Sequence, residues 1–371
     1  MKRLLWLDVT KGLAILIVVY FHFFRTYFEH AALPPADWSN LGAGLTTFLG
    51  VAWLQLSGLG FHAVGVFIIL SGWALMQSTV RRAEKGPLAW GGWYRTRFLR
   101  LYPMYWVAHL VYLISPWTAR FEKIDGRIIL SLLGLRFVDI SSTFYYLNAA
   151  WWYFGMLIQF YLIFPLLFWA ARKLGPWPFL FATCALGFFV RYLILIPYPQ
   201  NGMWVQGGLA LCRLPEFALG MALGMWDSRW PVRVKRYLLG GAGLVTGVVL
   251  YPAALQLYHG RFVYVFVDFA TGTCCLLVLV GIAGVIARFP SPARVLGLVG
   301  VFSYGIYLIH HPYVIWLGLR IREQPVWMFL LITLATLAAL SGWGIILEKG
   351  TNTLVAKLIP ARAKPVPPPV L

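Results

Sequence analysis

Apolar runs of about twenty residues recur along the whole chain, with short polar segments between them. The hydrocarbon core of a bilayer is ~30 Å thick, and a helix of ~20 residues spans it. Each run therefore predicts a transmembrane helix. Ten runs qualify, at residues 5–27, 60–79, 98–116, 151–171, 177–196, 206–226, 237–257, 264–287, 297–319 and 326–347. The pattern predicts an all-α, polytopic integral membrane protein with about ten transmembrane helices.

Two other segments complete the predicted organisation. The stretch 127–138 is apolar but short, and Arg127 and Arg136 flank it, so we predict an interfacial or re-entrant segment. The C-terminal stretch is rich in proline, which predicts a partly disordered tail. Residues 1–350 are accordingly expected to form a single transmembrane domain, and residues 351–371 a cytoplasmic tail.

The composition agrees with a membrane protein. Of the 371 residues, 60% are hydrophobic and only 12% are charged, whereas a soluble domain is about half apolar and a quarter charged. These values exclude a disordered chain, a secreted disulfide scaffold and an ordinary soluble enzyme. The four cysteines lie in apolar runs without CxxC spacing, so we predict buried thiols and no metal site.

The net charge of +19 arises from 31 basic and 12 acidic residues, and their placement is more informative than their sum. If the N-terminus is cytoplasmic, most of the basic residues fall in connections on the cytoplasmic side, as the positive-inside rule requires. An even number of spans then places the C-terminus in the cytoplasm as well. Topology and contact with anionic membrane lipid explain the basic excess, and no nucleic-acid partner is predicted.

Charged side chains inside the predicted spans are the informative ones, because a charge at a helix centre costs at least ~2.5–3.5 kcal/mol. In the first span, Asp8 and Lys11 are one turn apart, and His22 follows on the same face roughly 16 Å farther along. Polar groups at this depth face protein or water, so this face predicts the lining of an interior cavity. The alternative is a structural ion pair, with His22 as a tether between helices.

Three more polar groups repeat this pattern. Arg213 and Glu216 lie one turn apart in the sixth span, where a structural ion pair is favoured over chemistry. His310 lies in the ninth span, and the sequence favours neither a structural nor a functional role for it. Arg97 and Arg100 lie one turn apart at the predicted cytoplasmic mouth of the third span. Their guanidinium groups can bind phosphate, or they can act only as charges that end the span.

Five motifs in this order resemble the membrane-bound acyltransferase-3 family of bacterial O-acyltransferases, and they extend over nearly the whole chain. They are Leu7 and Asp8 with Lys11, Gly12 and His22; residues 65–72 (GVFIILSG); Arg97 and Arg100 with Tyr102 and Pro103; Trp152 through Gln159, Phe160 and Tyr161 to Pro165; and Tyr304 through Tyr307 to His310. The family often has arginine at the position of Lys11 and glutamate at that of Gln159. Gln159 cannot act as an acid or base, so we assign it no catalytic role. Glu348 and Lys349 resemble a Glu-basic-Pro element whose proline is replaced by Gly350.

The resemblance implies transfer of an acyl group, most often acetyl, from acyl-CoA to a hydroxyl of a carbohydrate or lipid-linked glycan, in the inner membrane of a bacterium. His22 is then the expected general base. Lys11, Arg97 and Arg100 are expected to bind acyl-CoA, which would enter from the cytoplasmic side. The expected supporting or oxyanion-stabilising residues are Asp8, Ser71, Tyr304, His310, Arg213 and Glu216. No metal is expected.

Two other classes of function fit the same residues. A transporter or flippase of a sugar or lipid-linked intermediate would use these charged groups as a proton or substrate path, although no internal repeat is visible. A non-catalytic structural or sensing subunit would turn over no thioester.

The expected partners of the enzyme are acyl-CoA, a carbohydrate or glycolipid acceptor and membrane lipid, and the sequence is compatible with a homo-oligomer. The outer segment 28–59 is a candidate for contact with the acceptor, and interfacial anchoring is its alternative role. The side chains that raise this question are Glu29, His30, Asp37, Trp38 and Asn40.

Overall fold

The computed structural model consists of helices and connecting turns, and no β-strand occurs in the residues that it describes. The described residues are 5–28, 41–119, 123–198, 201–226, 237 and 240–359, and within 41–56 only residues 50 and 53 have described side chains. The prediction of an all-α, polytopic membrane protein is confirmed.

The helices of the described chain are named here in order. They are α1 (Leu5–Tyr27), α2 (Leu41–Ala83), α3 (Trp90–Ile114), α4 (Arg127–Leu133), α5 (Ile140–Thr143), α6 (Trp152–Leu174), α7 (Pro176–Leu195), α8 (Leu214–Trp226), α9 (Gly241–Leu255), α10 (Val267–Ile286), α11 (Pro290–Val301), α12 (Ser303–Ile321) and α13 (Val326–Leu358). Short non-α turns precede three of them: Ala149–Trp151 before α6, Trp204–Gly208 and Ala210–Arg213 before α8, and Val263–Phe266 before α10.

The number of spans differs from the predicted ten. In the described ranges, seven helices are long and apolar enough to cross a bilayer, or eight if the bent pair α11–α12 counts as one span. The two helices of this pair meet at 76°, and Phe302 between them leaves the helical conformation, with φ −103 and ψ 21. The predicted ninth span, 297–319, is therefore not one continuous helix, because an apolar run determines the length of a span but not its direction.

Two further predicted spans have a different form. Helix α3 begins well before residue 98, and its first turns carry three arginines, so its composition is less apolar than that of the seven spans. The sixth predicted span is broken between Trp204 and Arg213. The Gln159 side chain bridges this break, since its Nε2 donates to the Gly208 carbonyl at 3.0 Å and its Oε1 accepts from the Ala210 N–H at 3.0 Å. Gln159 thereby satisfies backbone groups that lipid could not.

Glycines bring the central helices into close contact. A Cβ on Gly300 of α11 would overlap the Asp8 carbonyl of α1, and a Cβ on Gly220 of α8 would overlap the Ile69 carbonyl of α2. Small residues are the usual solution for packing helices in lipid, where contact between backbones replaces the hydrophobic drive. These contacts hold α1 and α2 at the centre of the bundle, and they fix the register of the α1 face that was predicted to line a cavity.

The stretch 127–138 is anchored in protein. It contains α4, and Gly134 with φ 75 ends that helix. Arg136, which is 1% exposed, donates hydrogen bonds to the carbonyls of Tyr146 at 2.9 Å and Thr143 at 3.1 Å. Arg136 is therefore a buried anchor for the segment before α6, and not a surface charge.

The described residues do not test the predictions on the location of the termini or on the orientation of the chain. Helix α13 continues to Leu358, so residues 351–358 are helical, and residues 360–371 lie outside the described part. Also outside it are the basic N-terminal residues, the basic stretch 229–236 and the five side chains singled out in segment 28–59. The orientation of the chain in the membrane stays a prediction.

Candidate active site

A cavity of about 250 Å³ lies between α1, α2, α3, the first half of α6, the end of α11, α12 and α13. It extends from a cationic end to a histidine end, which are separated along α1 by roughly 16 Å. Most of the predicted site residues line it: Lys11, His22, Ser71, Arg97, Arg100, Tyr304 and His310. The interior cavity predicted from the face of the first span is therefore present.

The cationic end is formed by Lys11, Arg97 and Arg100. The Lys11 Nζ lies 2.7 Å from the Asp8 carboxylate, whose side chain is 8% exposed. Asp8 does not line the cavity, so it pairs with Lys11 from the side that faces away from the cavity. This ion pair is the structural alternative that the sequence left open, and it coexists with a Lys11 that faces the cavity.

The two arginines differ in their surroundings. Arg97 is buried, its Nη2 donates to the Ser78 hydroxyl at 2.8 Å, and its guanidinium lies 5.2 Å from the centre of the Trp93 ring. Arg100, one turn later on α3, is exposed. Arg97 is thus held in one orientation, whereas Arg100 is at the opening of the cavity.

Glu348 brings a carboxylate into the same cavity. Its Oε2 accepts a hydrogen bond from the Gly305 N–H at 2.7 Å, near the start of α12. No role was assigned to Glu348 from the sequence. Its likeness to the Glu-basic-Pro element was the signal that could have identified it.

Three imidazoles form the histidine end. The ring of His22 lies 5.3 Å from that of His310 and 4.7 Å from that of His311, measured between centroids. The Nδ1 of His310 is 2.7 Å from the Tyr307 carbonyl, which requires that Nδ1 carry the hydrogen. Its Nε2 is buried and has no hydrogen-bond partner among the described residues. Within the same ranges, no three His, Cys, Asp or Glu side chains are placed to bind a metal ion.

Hydroxyl groups line the middle of the cavity. The Ser71 hydroxyl lies 3.3 Å from the Tyr153 hydroxyl, at a distance where either can donate. The Tyr304 hydroxyl donates to the Leu101 carbonyl at 2.9 Å, and that of Tyr307 donates to the Ala150 carbonyl. The protons of Tyr304 and Tyr307 are therefore donated to backbone carbonyls. In the Ser71–Tyr153 pair one hydroxyl donates to the other, and the proton of the second hydroxyl is available to a bound molecule.

Arg213 and Glu216 are not part of this cavity. Arg213 Nε lies 2.8 Å from Glu216, and Arg213 Nη1 lies 3.2 Å from Asp268 of α10. Asp268 also pairs with Arg191 of α7 at 2.8 Å. Two cations and two anions thus form a buried cluster that joins α7, α8 and α10. Arg213 and Glu216 form the structural ion pair that their spacing favoured, and a supporting role for them in the site stays a prediction. Asp268 was not singled out from the sequence, although a lone carboxylate within an apolar run indicates a buried, paired charge.

Comparison with known proteins agrees with this architecture. A family described as an acyltransferase domain matches residues 4–346, nearly the whole chain. The curated protein Acyltransferase MdmB of Streptomyces mycarofaciens is 27% identical over 295 residues, which cover 71% of this chain and 70% of that protein. No solved structure matches the chain significantly. The protein is a multi-pass membrane protein that belongs to the acyltransferase-3 family.

Proposed function

We propose that the protein transfers an acyl group, with acetyl as the first choice, from acyl-CoA to a hydroxyl of a carbohydrate or lipid-linked glycan. His22 is the general base, and the donor enters from the cytoplasmic side. The family membership supports acyl transfer in general. The donor, the base and the direction are the parts that this proposal adds.

One observation carries the proposal: a single cavity joins the cations Lys11, Arg97 and Arg100 to the imidazole of His22. An acyl-CoA is a long molecule with phosphates at one end and a thioester at the other. A site for it needs cations at an entrance and a base farther inside. The two ends of this cavity have that order and are separated by roughly 16 Å along α1.

The size of the cavity decides which part of the donor it takes. Its volume of about 250 Å³ is below the ~300–1,000 Å³ typical of pockets for whole ligands. It therefore suits the acyl group and the adjoining pantetheine arm. The nucleotide and its phosphates stay outside, where the exposed Arg100 can reach them and the buried Arg97 can bind a phosphate oxygen at the opening.

The chemical step needs one proton acceptor. The acceptor hydroxyl oxygen forms a bond to the thioester carbonyl carbon while His22 takes the hydroxyl proton. The carbon–sulfur bond then breaks, and the leaving thiolate takes the proton back from the imidazolium. A neutral histidine can serve as base at physiological pH. Direct transfer therefore needs no covalent acyl intermediate on the protein.

The carbonyl oxygen gains negative charge in the transition state and requires hydrogen-bond donors. Ser71 and Tyr153 are the candidates, since both line the cavity and their hydroxyls bond only to each other among the described groups. Tyr304 is a weaker candidate, because its proton is donated to Leu101. Its proposed role is to hold α12 against α3.

In this proposal the cationic end faces the cytoplasm, with both termini on that side of a bacterial inner membrane. Acyl-CoA is a cytoplasmic metabolite and too polar to cross lipid unaided, so the arginines must face the compartment that contains it. The alternative of a transporter loses support, because Arg213 and Glu216 are bound up in a separate ion cluster away from His310 and Lys11.

The test is thiol release from acetyl-CoA by the purified full-length protein in nanodiscs, with and without an extract of bacterial membrane glycolipids. Binding of desulfo-coenzyme A, an unreactive analogue, is measured in parallel by calorimetry. We expect binding of the analogue and an increase of thiol release when the extract is added. Absence of analogue binding would contradict an acyl-CoA donor, and binding without thiol release in any extract would contradict acyl transfer from it.

A further inference from the structure

A second cavity, with a volume of about 270 Å³, adjoins the histidine end. Its lining includes Tyr145, Leu147, Ala149, His311 and Ile315. On α12, His311 and Ile315 lie two to three turns beyond the start of the helix, which is next to the arginine-bearing α3. The second cavity therefore lies on the side of the histidines that is remote from the cationic end.

The histidine end lies between the two cavities, and His22 itself lines the first one. His310 lines the first cavity and His311, the next residue, lines the second. The His22 ring is in contact range of both, at 5.3 Å and 4.7 Å between centroids. Within the described residues, neither ring nitrogen of His311 forms a hydrogen bond. A molecule in the second cavity would thus contact the His311 ring, and the His22 ring, the proposed base, lies directly behind His311.

The wall of the second cavity is attached to α12 by hydrogen bonds to the Leu308 carbonyl, which Pro312 leaves without a helical donor. Pro312 lacks an N–H, so the Leu308 carbonyl, four residues earlier, has no α-helical donor. Two side chains from the segment before α6 take its place: Trp151 Nε1 donates to that carbonyl at 2.8 Å and Asn148 Nδ2 at 3.2 Å. These two hydrogen bonds tie the wall of the second cavity to the helix that carries both histidines.

The same wall contains a rare backbone conformation. Leu147 has φ 62, in the left-handed region that favours glycine. The Asn148 N–H donates to the Tyr146 carbonyl at 2.8 Å, so Leu147 is the centre of a tight three-residue turn. Strained residues of this kind are frequent at functional sites, and here the turn presents Leu147 to the cavity.

We propose that this second cavity binds the acceptor, and that the acceptor is an alcohol whose hydroxyl is flanked by apolar surface, such as a glycoside with a hydrophobic aglycone. The proposal rests on the acyl transfer proposed above and adds the acceptor site. The leucine, isoleucine and alanine side chains of the lining suit an apolar body, and His311 hydrogen-bonds the hydroxyl. His311 is a positioning residue: the hydroxyl proton goes to His22, and His311 only orients the oxygen.

The experiment measures how fast single cysteines in each cavity react with N-ethylmaleimide, in full-length protein in nanodiscs. The background is Cys184→Ser, because the other three native cysteines are buried. Ala149→Cys reports on the second cavity and Ala74→Cys on the first. Leu166→Cys, on an exposed part of α6, is the control for detergent in the lipid.

The probes are n-octyl β-D-glucoside below its micellar concentration, free glucose and coenzyme A. We expect octyl glucoside to slow alkylation of the Ala149→Cys variant severalfold, without effect on the variants at positions 166 and 74, and glucose to have no effect. Loss of one hydrogen bond in His311→Ala should raise the half-protecting concentration about fivefold. His259→Ala, an exposed histidine outside both cavities, should leave it unchanged.

Three results would overturn the acceptor site: no alkylation of the Ala149→Cys variant, no protection of it by octyl glucoside, or equal protection by glucose. Protection that is unchanged in His311→Ala would remove His311 from the positioning role. The donor is read separately, since coenzyme A should protect the thiol at position 74 and not the one at position 149. Failure of coenzyme A to protect the Ala74→Cys variant would count against the proposed donor, whatever the variant at position 149 reports.

Discussion

Arg97 donates a hydrogen bond to Ser78 across the α2–α3 interface, at 2.8 Å, while Arg100 one turn later is exposed. The two residues of one motif therefore have different environments. A buried guanidinium held by a neighbour is already oriented for a phosphate, whereas an exposed one must be ordered on binding.

We expect Arg97→Ala to weaken binding of coenzyme A by about 10- to 100-fold, the value of a charge-assisted hydrogen bond. Arg100→Ala should weaken it only a fewfold, because solvent screens an exposed charge. Both variants should lose part of the salt dependence of binding. Calorimetry at two salt concentrations measures these effects, with the exposed Arg95→Ala on the same helix as control. Unchanged affinity in both variants would reduce this arginine pair to a topological signal.

His22→Ala should lower the rate of acyl transfer by about 10²–10⁴-fold, the contribution of a positioned general base. Binding of desulfo-coenzyme A should stay within a fewfold of wild type, because the cations that hold the donor are at the other end of the cavity. Thiol release and calorimetry measure the two quantities, and His259→Ala is the matched histidine control. A rate within about tenfold of wild type would exclude His22 as the base.

Helical spacing could place Lys11 and His22 in one cavity because both lie on a single straight helix. The same argument could not separate His310 from His311. Which of them faces which cavity depends on the bend at Phe302 and on the Leu308 carbonyl left free by Pro312. Both are tertiary features, and the apolar pattern of one segment cannot predict them.

The charge clusters show a similar limit. Arg213 and Glu216 form the pair that their spacing suggested, yet their third partner, Asp268, comes from α10. Sequence spacing detects partners on one helix and cannot detect those on another. The break in the sixth predicted span could not be predicted for the same reason. The residue that satisfies its free backbone groups, Gln159, lies on another helix, α6.

Asp268→Asn should destabilise the bundle by about 3–5 kcal/mol, because it leaves Arg191 buried without its anionic partner and Arg213 with only one. The matched control is Asp125→Asn, which removes an exposed ion pair with Arg127 and should have little effect. Thermal unfolding in detergent compares the two variants. Since the cluster lies outside the cavity, the folded fraction of Asp268→Asn should bind coenzyme A with wild-type affinity. Equal stability of the two variants would show that the buried cluster is not a structural one.

Gly300 of α11 packs directly against the backbone of α1 at Asp8. A Cβ on Gly300 would overlap the Asp8 carbonyl, and both partners are backbone of packed helices, so neither can move without separating α11 from α1. Gly300→Ala should therefore destabilise the protein by about 1–3 kcal/mol, as overpacking does, and it should weaken donor binding because Lys11 is displaced from the cavity. Gly297→Ala, one turn earlier on α11, is the control: its Cβ would meet only the end of the Leu5 side chain, at 3.2 Å, which can rotate away. Thermal unfolding and calorimetry with coenzyme A measure both effects. If Gly300→Ala lowered stability and left donor affinity intact, the position of α1 against α11 would be irrelevant to the cationic end, and Lys11 would have no part in binding the donor.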